Sequence, residues 1–332
     1  MSRITEYSKT YKPFHYPWAM EYAEKHEKMH WGSWEAKLQE DVSQWKNGTI
    51  TEQEKTHITN ILRIFTQSDV AVGGNYSDIF IQEFKNNEIR NMLLSFANRE
   101  GTHQRAYALL NDTLGMDESE YSVFLNYKEM ADKIEFMTQP PKSMKKKDQR
   151  LAFELARSVC NEGMSLFSAF VMLLNYQRFG KMKGTCEIVE WSLRDEAMHV
   201  EAMTKLFHTY LKENPHLVTD TLKSYIYKNF TQAVALEEAL IDFIYDEINI
   251  EGLTSQELKT YIRYLADRRL LQLGMKPIFK QKKNPLPWLD WIISGDSFKN
   301  FFEGVVTDYN ASGMVGDFDN DIYSQLTQTN EE

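Results

Sequence analysis

The sequence predicts an all-α protein, a bundle of long helices. Three observations predict it: apolar residues recur at helical spacing through most of the 332 residues, β-branched alternation is scarce, and glycine (15) and proline (8) are few. In chain order, helices are expected over residues 34–47, 52–81, 86–114, 118–135, 148–178, 184–212, 218–247 and 255–274. The preceding stretch, Glu21 to His30, is highly charged and shows no buried face. Thr51 with Glu54 forms a capping-box pattern that opens helix 52–81, whose interior carries Ile61-Leu62-Arg63-Ile64-Phe65 and Val70-Ala71-Val72. Helix 86–114 carries Met92-Leu93-Leu94-Ser95-Phe96-Ala97 and Tyr107-Ala108-Leu109-Leu110. Helix 148–178 carries Ala156 to Cys160 and Met164 to Phe170, and helix 184–212 carries Ile188 to Leu193 and Met203 to Phe207.

Two basic segments, Pro140–Lys147 and Lys280–Pro285, read as solvated loops, and the first divides the helical region into two halves. After about residue 306 the helical pattern fades into a polar, acidic end with a few apolar anchors. The expected organisation is therefore one helical domain over residues 1–305 and a flexible acidic tail over 306–332, suited to docking on a partner.

The chemistry-bearing pattern is Glu-x-x-His. Residues i and i+3 of a helix lie about 60° apart around the axis and about 4.5 Å along it, so one metal ion can reach both side chains. The pattern occurs four times, at Glu27/His30, Glu54/His57, Glu100/His103 and Glu196/His199. Context separates them. Glu54 belongs to the capping box, which leaves His57 an expected surface residue, and Glu27/His30 sits in the charged stretch. Glu100/His103 and Glu196/His199 are embedded in apolar runs, where burying carboxylate and imidazole costs several kcal/mol (~) unless something compensates. Each pair is preceded by an acid in an equally apolar run, Asp69 and Glu162. Four acids and two histidines, arranged alike in both halves, form a ligand set for two metal ions of the kind helical bundles build from a carboxylate on each of two helices and Glu-x-x-His on the other two. Tyr107, one turn after His103, is expected on the same face, where an oxidisable phenol would stand beside the metals.

Composition excludes other classes. A net charge of −10 argues against a nucleic-acid surface, whose affinity comes from Lys and Arg neutralising phosphates. Only Cys160 and Cys186 occur, both inside helical patterns, so neither a disulfide framework nor a cysteine-rich zinc site is indicated and a reducing, cytoplasmic setting is expected. The N-terminal residues Met1 to Glu6 lack a signal-peptide core, and no stretch approaches a membrane span.

At four places the residues resemble a known family. Phe65-Thr66-Gln67-Ser68-Asp69, Phe96-Ala97-Asn98-Arg99-Glu100-Gly101-Thr102-His103 with Tyr107, Asn161-Glu162-Gly163, and Arg194-Asp195-Glu196-Ala197-Met198-His199 resemble the small, radical-generating subunit of class I ribonucleotide reductase, with ligand order and spacing intact over about residues 25–305. The resemblance implies a ferritin-like helical bundle with additional helices, a homodimer, and a dinuclear metal centre that reacts with oxygen or a reduced oxygen species. Two iron ions are the first expectation, with Mn/Fe or Mn/Mn as alternatives, because carboxylate and imidazole suit either metal. The stored oxidising equivalent would pass to a large catalytic subunit that reduces ribonucleotides to deoxyribonucleotides, and a flavoprotein activase stands among the partners the resemblance leaves open.

By the same resemblance Trp31 maps onto the transfer tryptophan, Asp195 links it to His103, and Glu35 maps onto a residue near the surface that gates the path. Tyr323 in the tail is a candidate relay tyrosine, although nearer the C-terminus than the family pattern suggests. Phe170 and Leu166 match the apolar surroundings of the radical tyrosine, while Ser192 stands where a larger aliphatic residue is expected and could admit water. The competing reading is a ferritin-like di-metal ligand oxidase. A metal-free helical interaction protein would leave six polar residues at apolar helix positions without a purpose.

Overall fold

The computed structural model describes residues 3–139 and 144–292. The expected tail, the 305/306 boundary, Tyr323 and residues 140–143 of the first loop lie outside them. Among the described residues the structure is helical without a strand. In order, the α-helices are α1 (Pro17–Lys28), α2 (Gln39–Lys46), α3 (Glu52–Asn75), α4 (Ile81–Glu83), α5 (Asn87–Leu114), α6 (Glu120–Val123), α7 (Lys128–Thr138), α8 (Lys147–Cys160), α9 (Phe167–Leu174), α10 (Lys183–Glu213), α11 (Asp220–Ile244), α12 (Ser255–Gln272) and α13 (Pro287–Ile292).

Two helix pairs make the central bundle. α3 packs on α5, and α8 with α9 packs on α10; contacts of α5 with α10 and of α3 with α9 join the pairs. α1 covers α5, while α7, α11 and α12 cover the other side. Close approach at the ligand level depends on Gly73, because a Cβ there would lie 3.2 Å from Glu100 Cβ.

Several expected helices are present with their interiors altered. The expected helix 52–81 begins at the Thr51 capping box, with Glu54 N–H donating to Thr51 Oγ1 at 3.3 Å, then widens into a π-turn over Tyr76–Phe80 before α4. The expected helix 148–178 is broken by a second π-turn over Asn161–Ser165 and ends in a 3₁₀ turn, Asn175–Phe179. π-turns add a residue to the helical ladder and gather at functional sites; the second one carries Glu162. Its freed carbonyls find buried cations. Arg269 Nε donates to Gly163 O at 3.0 Å, and Lys133 Nζ donates to Ser165 O at 2.6 Å. Lys133 also pairs with Glu237 on α11 at 2.5 Å, both side chains being buried. The expected helix 118–135 is split into α6, a short 3₁₀ turn and α7.

Three expectations fail. The single helix 34–47 is a 3₁₀ turn at Ser33–Glu35 followed by α2, whose Asp41 accepts from Gly184 N–H (3.0 Å) and Thr185 N–H (2.7 Å) and so caps the start of α10. Glu21–His30 does have a buried face: it lies largely in α1, which buries Ala19, Ala23 and His26. That stripe follows i, i+4, i+7, but small and polar residues compose it, so hydropathy hides it. His57 is fully buried rather than on the surface, with Nδ1 2.9 Å from Tyr176 Oη, and burial lowers its pKa to about 3. It continues the inner stripe of α3, which a capping-box reading of Glu54 does not address. His30 and Glu27 are exposed, as expected.

The Lys133–Glu237 pair yields a stability prediction. Lys133→Met should leave Glu237 buried without its partner and destabilise the protein by about 3–5 kcal/mol, measured by urea unfolding of metal-free protein. A loss below about 1 kcal/mol would show that the pair behaves as a surface pair does.

Candidate metal centre

All six expected ligands meet between the two helix pairs. Asp69 comes from α3, Glu100 and His103 from α5, Glu162 from the π-turn, and Glu196 and His199 from α10, each at most 2 % exposed. They form two overlapping groups, Asp69/Glu100/His103/Glu196 and Glu100/Glu162/Glu196/His199, each offering ligand atoms within 4.8 Å of one another. Glu100 and Glu196 belong to both groups, so each offers a carboxylate to either position.

Both imidazoles turn Nδ1 toward the acids. His103 Nδ1 lies 3.2 Å from Glu196 Oε1, 3.6 Å from Glu100 Oε2 and 3.9 Å from Asp69 Oδ2. His199 Nδ1 lies 3.1 Å from Glu100 Oε1, 3.3 Å from Glu162 Oε2 and 3.6 Å from Glu196 Oε2. Both oxygens of Asp69, Glu100 and Glu196, and Nδ1 of both histidines, are buried without a hydrogen-bond partner. Buried polar atoms are ordinarily paired, so this concentration at one point fits a pair of metal ions.

Electrostatics carries the same signature. Burial, followed by the neighbouring charges, holds the Asp69 carboxyl well above its usual range, with His103 opposing. Burial also raises Glu162, again against the pull of His199. Glu100 moves the other way, down to about 2: burial alone would raise it, but the nearby His103 and His199 imidazoles prevail. Burial alone would lower both histidines, yet carboxylate partners push them well above the ordinary imidazole range.

Around the ligands lies a hydrogen-bonded network. Asp195 Oδ2 accepts from Trp31 Nε1–H at 2.7 Å and lies 3.2 Å from His103 Nε2, while Arg99 Nη1 donates to its two oxygens at 3.1 and 2.9 Å. These bonds override the cost of burial and keep Asp195 well below the usual carboxylate range. The Trp31 ring stacks on His103 with centroids 5.8 Å apart and is 2 % exposed. Glu35 is exposed, and its Oε1 accepts from Gly32 N–H at 2.7 Å, one residue after Trp31. Tyr107 is fully buried, its ring stacked on Phe65 at 4.2 Å; Phe170 meets Phe65 edge-on at 5.1 Å. Its hydroxyl has no hydrogen-bond partner in the bonded range, and its pKa is raised well above that of a free phenol by burial and then by the Asp69 charge, with Ser192 acting in the opposite sense. Ser192 itself is buried and donates to Ile188 O at 3.0 Å.

The family model for ribonucleotide reductase, small chain, matches residues 8–285. The chain belongs to this family. It is 36 % identical over 325 residues to the probable ribonucleoside-diphosphate reductase small subunit 048L of Invertebrate iridescent virus 3, covering 93 % of this chain and 86 % of that one. Two solved structures share the fold: the ribonucleotide reductase R2 subunit from Clostridium botulinum, with a TM-score of 0.78, 21 % identity and coverage of 86 % and 91 %, and the dimanganese(II)-NrdF of Streptococcus sanguinis, with 0.72, 18 % and coverage of 90 % and 100 %. The ferritin-like bundle is thereby established, and so is the oxidoreductase class: small chains of class I ribonucleotide reductase generate the radical used by a large subunit.

Sequence reasoning missed four residues of this candidate site. Arg99, Tyr76, Ser158 and His26 are all buried, and each touches Asp195 or a ligand. Tyr76 Oη donates to Glu162 Oε2 at 2.7 Å, and Ser158 donates to Glu162 Oε1. Arg99 was marked only by its adjacency to Glu100, within the polar stretch from Asn98 to Arg105. Tyr76 and His26 carried no such signal. Neither cysteine is paired, both being buried thiols, and among the described residues no helix is long and apolar enough to cross a membrane.

The shared carboxylates give a prediction for metal content. The intact chain should bind two transition-metal ions, Asp69→Ala and Glu162→Ala should each retain one, and Glu100→Ala should lose both. Elemental analysis of purified protein after growth with iron and manganese checks this; equal losses in all three variants would contradict the bridging assignment.

Proposed function

We propose that Asp69, Glu100, His103, Glu162, Glu196 and His199 bind the dinuclear metal centre of this small subunit, and that Tyr107, Trp31, Asp195 and Glu35 store and deliver the oxidising equivalent. The observation that carries the reading is the convergence of eight unpartnered, buried ligand atoms on one point between four helices. Bound there, two iron ions, or manganese in one or both positions, would supply one-electron oxidising power from oxygen or a reduced oxygen species.

The chain's residues then have distinct tasks. Tyr107 holds the hole in a dry aromatic pocket formed by Phe65 and Phe170, with Asp69 the charge that acts most strongly on its phenol. The Ser192 hydroxyl, already committed to Ile188 O, remains compatible with a dry pocket. Trp31 passes the electron across its stacked contact with His103, and Asp195, shared between indole and imidazole N–H groups, keeps proton and electron movement together. His103 and, after it, Arg99 hold Asp195 ionised, so that it accepts from both indole and imidazole. Glu35, at the exposed mouth of the segment, fixes the turn that delivers Trp31 to the core. The partner is the large catalytic subunit, the substrates are ribonucleoside diphosphates as the name of the viral relative suggests, and the working unit is a homodimer in the cytoplasm. The acidic tail over 306–332, Tyr323 included, is the docking element.

Two variants test these roles. Trp31→Phe should keep both metals and abolish nucleotide reduction with the cognate large subunit; full turnover would sink the transfer path. Tyr107→Phe should remove the tyrosyl signal from the electron paramagnetic resonance spectrum of freshly activated protein. A metal-centred signal that is identical in wild type and variant would instead assign storage to the metals.

A further inference from the structure

The two metal-facing histidines are backed by different groups. His103 is backed by the Asp195 carboxylate, which belongs to the transfer path. His199 is backed by another imidazole: its Nε2 lies 3.2 Å from His26 Nε2, with ring centroids 5.1 Å apart. His26 Nδ1 lies 2.7 Å from Ser95 Oγ, its Nε2 is 4.0 Å from Asp195 Oδ1, and its ring meets Phe96 edge-on. His26 is 1 % exposed, and its backbone carbonyl accepts from Arg99 Nη2 at 3.3 Å.

We infer that His26 is a positioning residue that fixes His199 as an Nδ1 metal ligand by accepting the proton on His199 Nε2. The proton assignment follows from geometry. His199 Nδ1 faces Glu100, Glu162 and Glu196, so it must be bare to bind a metal, and the imidazole proton must sit on Nε2. Two nitrogens 3.2 Å apart share one proton, so His26 Nε2 is the acceptor. The proton of neutral His26 then resides on Nδ1 and is donated to Ser95 Oγ. One ordered chain results, from His199 through His26 to Ser95. A metal-bound imidazole needs such a partner to hold its tautomer and ring plane, and losing one typically costs about 10–100-fold in metal affinity.

The same short segment thus reaches both histidines. His26 closes α1 against His199, and Trp31, five residues on, reaches His103 both directly and through Asp195. Arg99 ties the two arms together, donating to His26 O, Met29 O and Asp195.

This inference rests on the six residues being metal ligands, and the experiment separates the two claims. Manganese(II) is titrated into metal-free protein, and free ion is followed by electron paramagnetic resonance. Wild type should bind two ions per chain; binding none would overturn the ligand assignment itself. In the Asp69→Ala background, which keeps the His199 position, adding His26→Leu should weaken binding about 10–100-fold, and His26→Gln, whose amide oxygen can accept the same proton, should restore most of it. In the Glu162→Ala background, which keeps the His103 position, His26→Leu should change nothing. Equal weakening in both backgrounds, or in neither, overturns the positioning role. Ser95→Ala, which leaves the His26 ring packed, should weaken the His199 position in the same direction by a smaller factor; an unchanged affinity there counts against the chain of protons.

Discussion

Four carboxylates and two imidazoles occupy the centre of an apolar helical bundle, and their charge must be compensated. Isolated ions in such a place are too costly to keep. Two divalent cations would match four ionised acids and would satisfy the lone pairs of Asp69, Glu100 and Glu196 that no protein donor reaches. Much of the surrounding structure follows from this constraint: Gly73 lets α3 approach α5 beside Glu100, the π-turn at Asn161–Ser165 carries Glu162, and buried Lys133 and Arg269 take up carbonyls of that turn.

The reach of the sequence had a physical boundary. The clustered acids were legible because they violate the pattern around them: Glu100, Glu196, Asp69 and Glu162 are acids where helical periodicity demands apolar side chains. Long bundle helices were legible from the same periodicity. π-turns were not, because one extra residue in the ladder leaves the composition unchanged. α1 was hidden because alanine and histidine form its buried stripe, and the same cause hid His26. His57 shows the opposite error: capping chemistry explains Glu54 but says nothing about a residue one turn further along the inner face.

The ligand set and its surroundings carry different kinds of information. Ligand types could belong to many di-metal proteins; what distinguishes this site is the connection of His103 to the indole of Trp31 through Asp195, with His103 and Arg99 keeping that carboxylate charged. A ligand oxidase has no need of a buried tryptophan wired to a ligand in this manner. On the opposite flank, Tyr76, Ser158 and His26 hold Glu162 and His199, so both halves of the centre are oriented by hydrogen bonds from outside the ligand set.

These six side chains would together enclose two metal ions bridged by shared carboxylates. Anomalous diffraction from crystals of metal-loaded protein, collected at the iron and manganese absorption edges, tests it most directly. Two peaks about 3.5–4 Å apart are expected, one against His103 Nδ1 and the other against His199 Nδ1, with Glu100 and Glu196 reaching both. A single peak, or metal bound away from these residues, would contradict it.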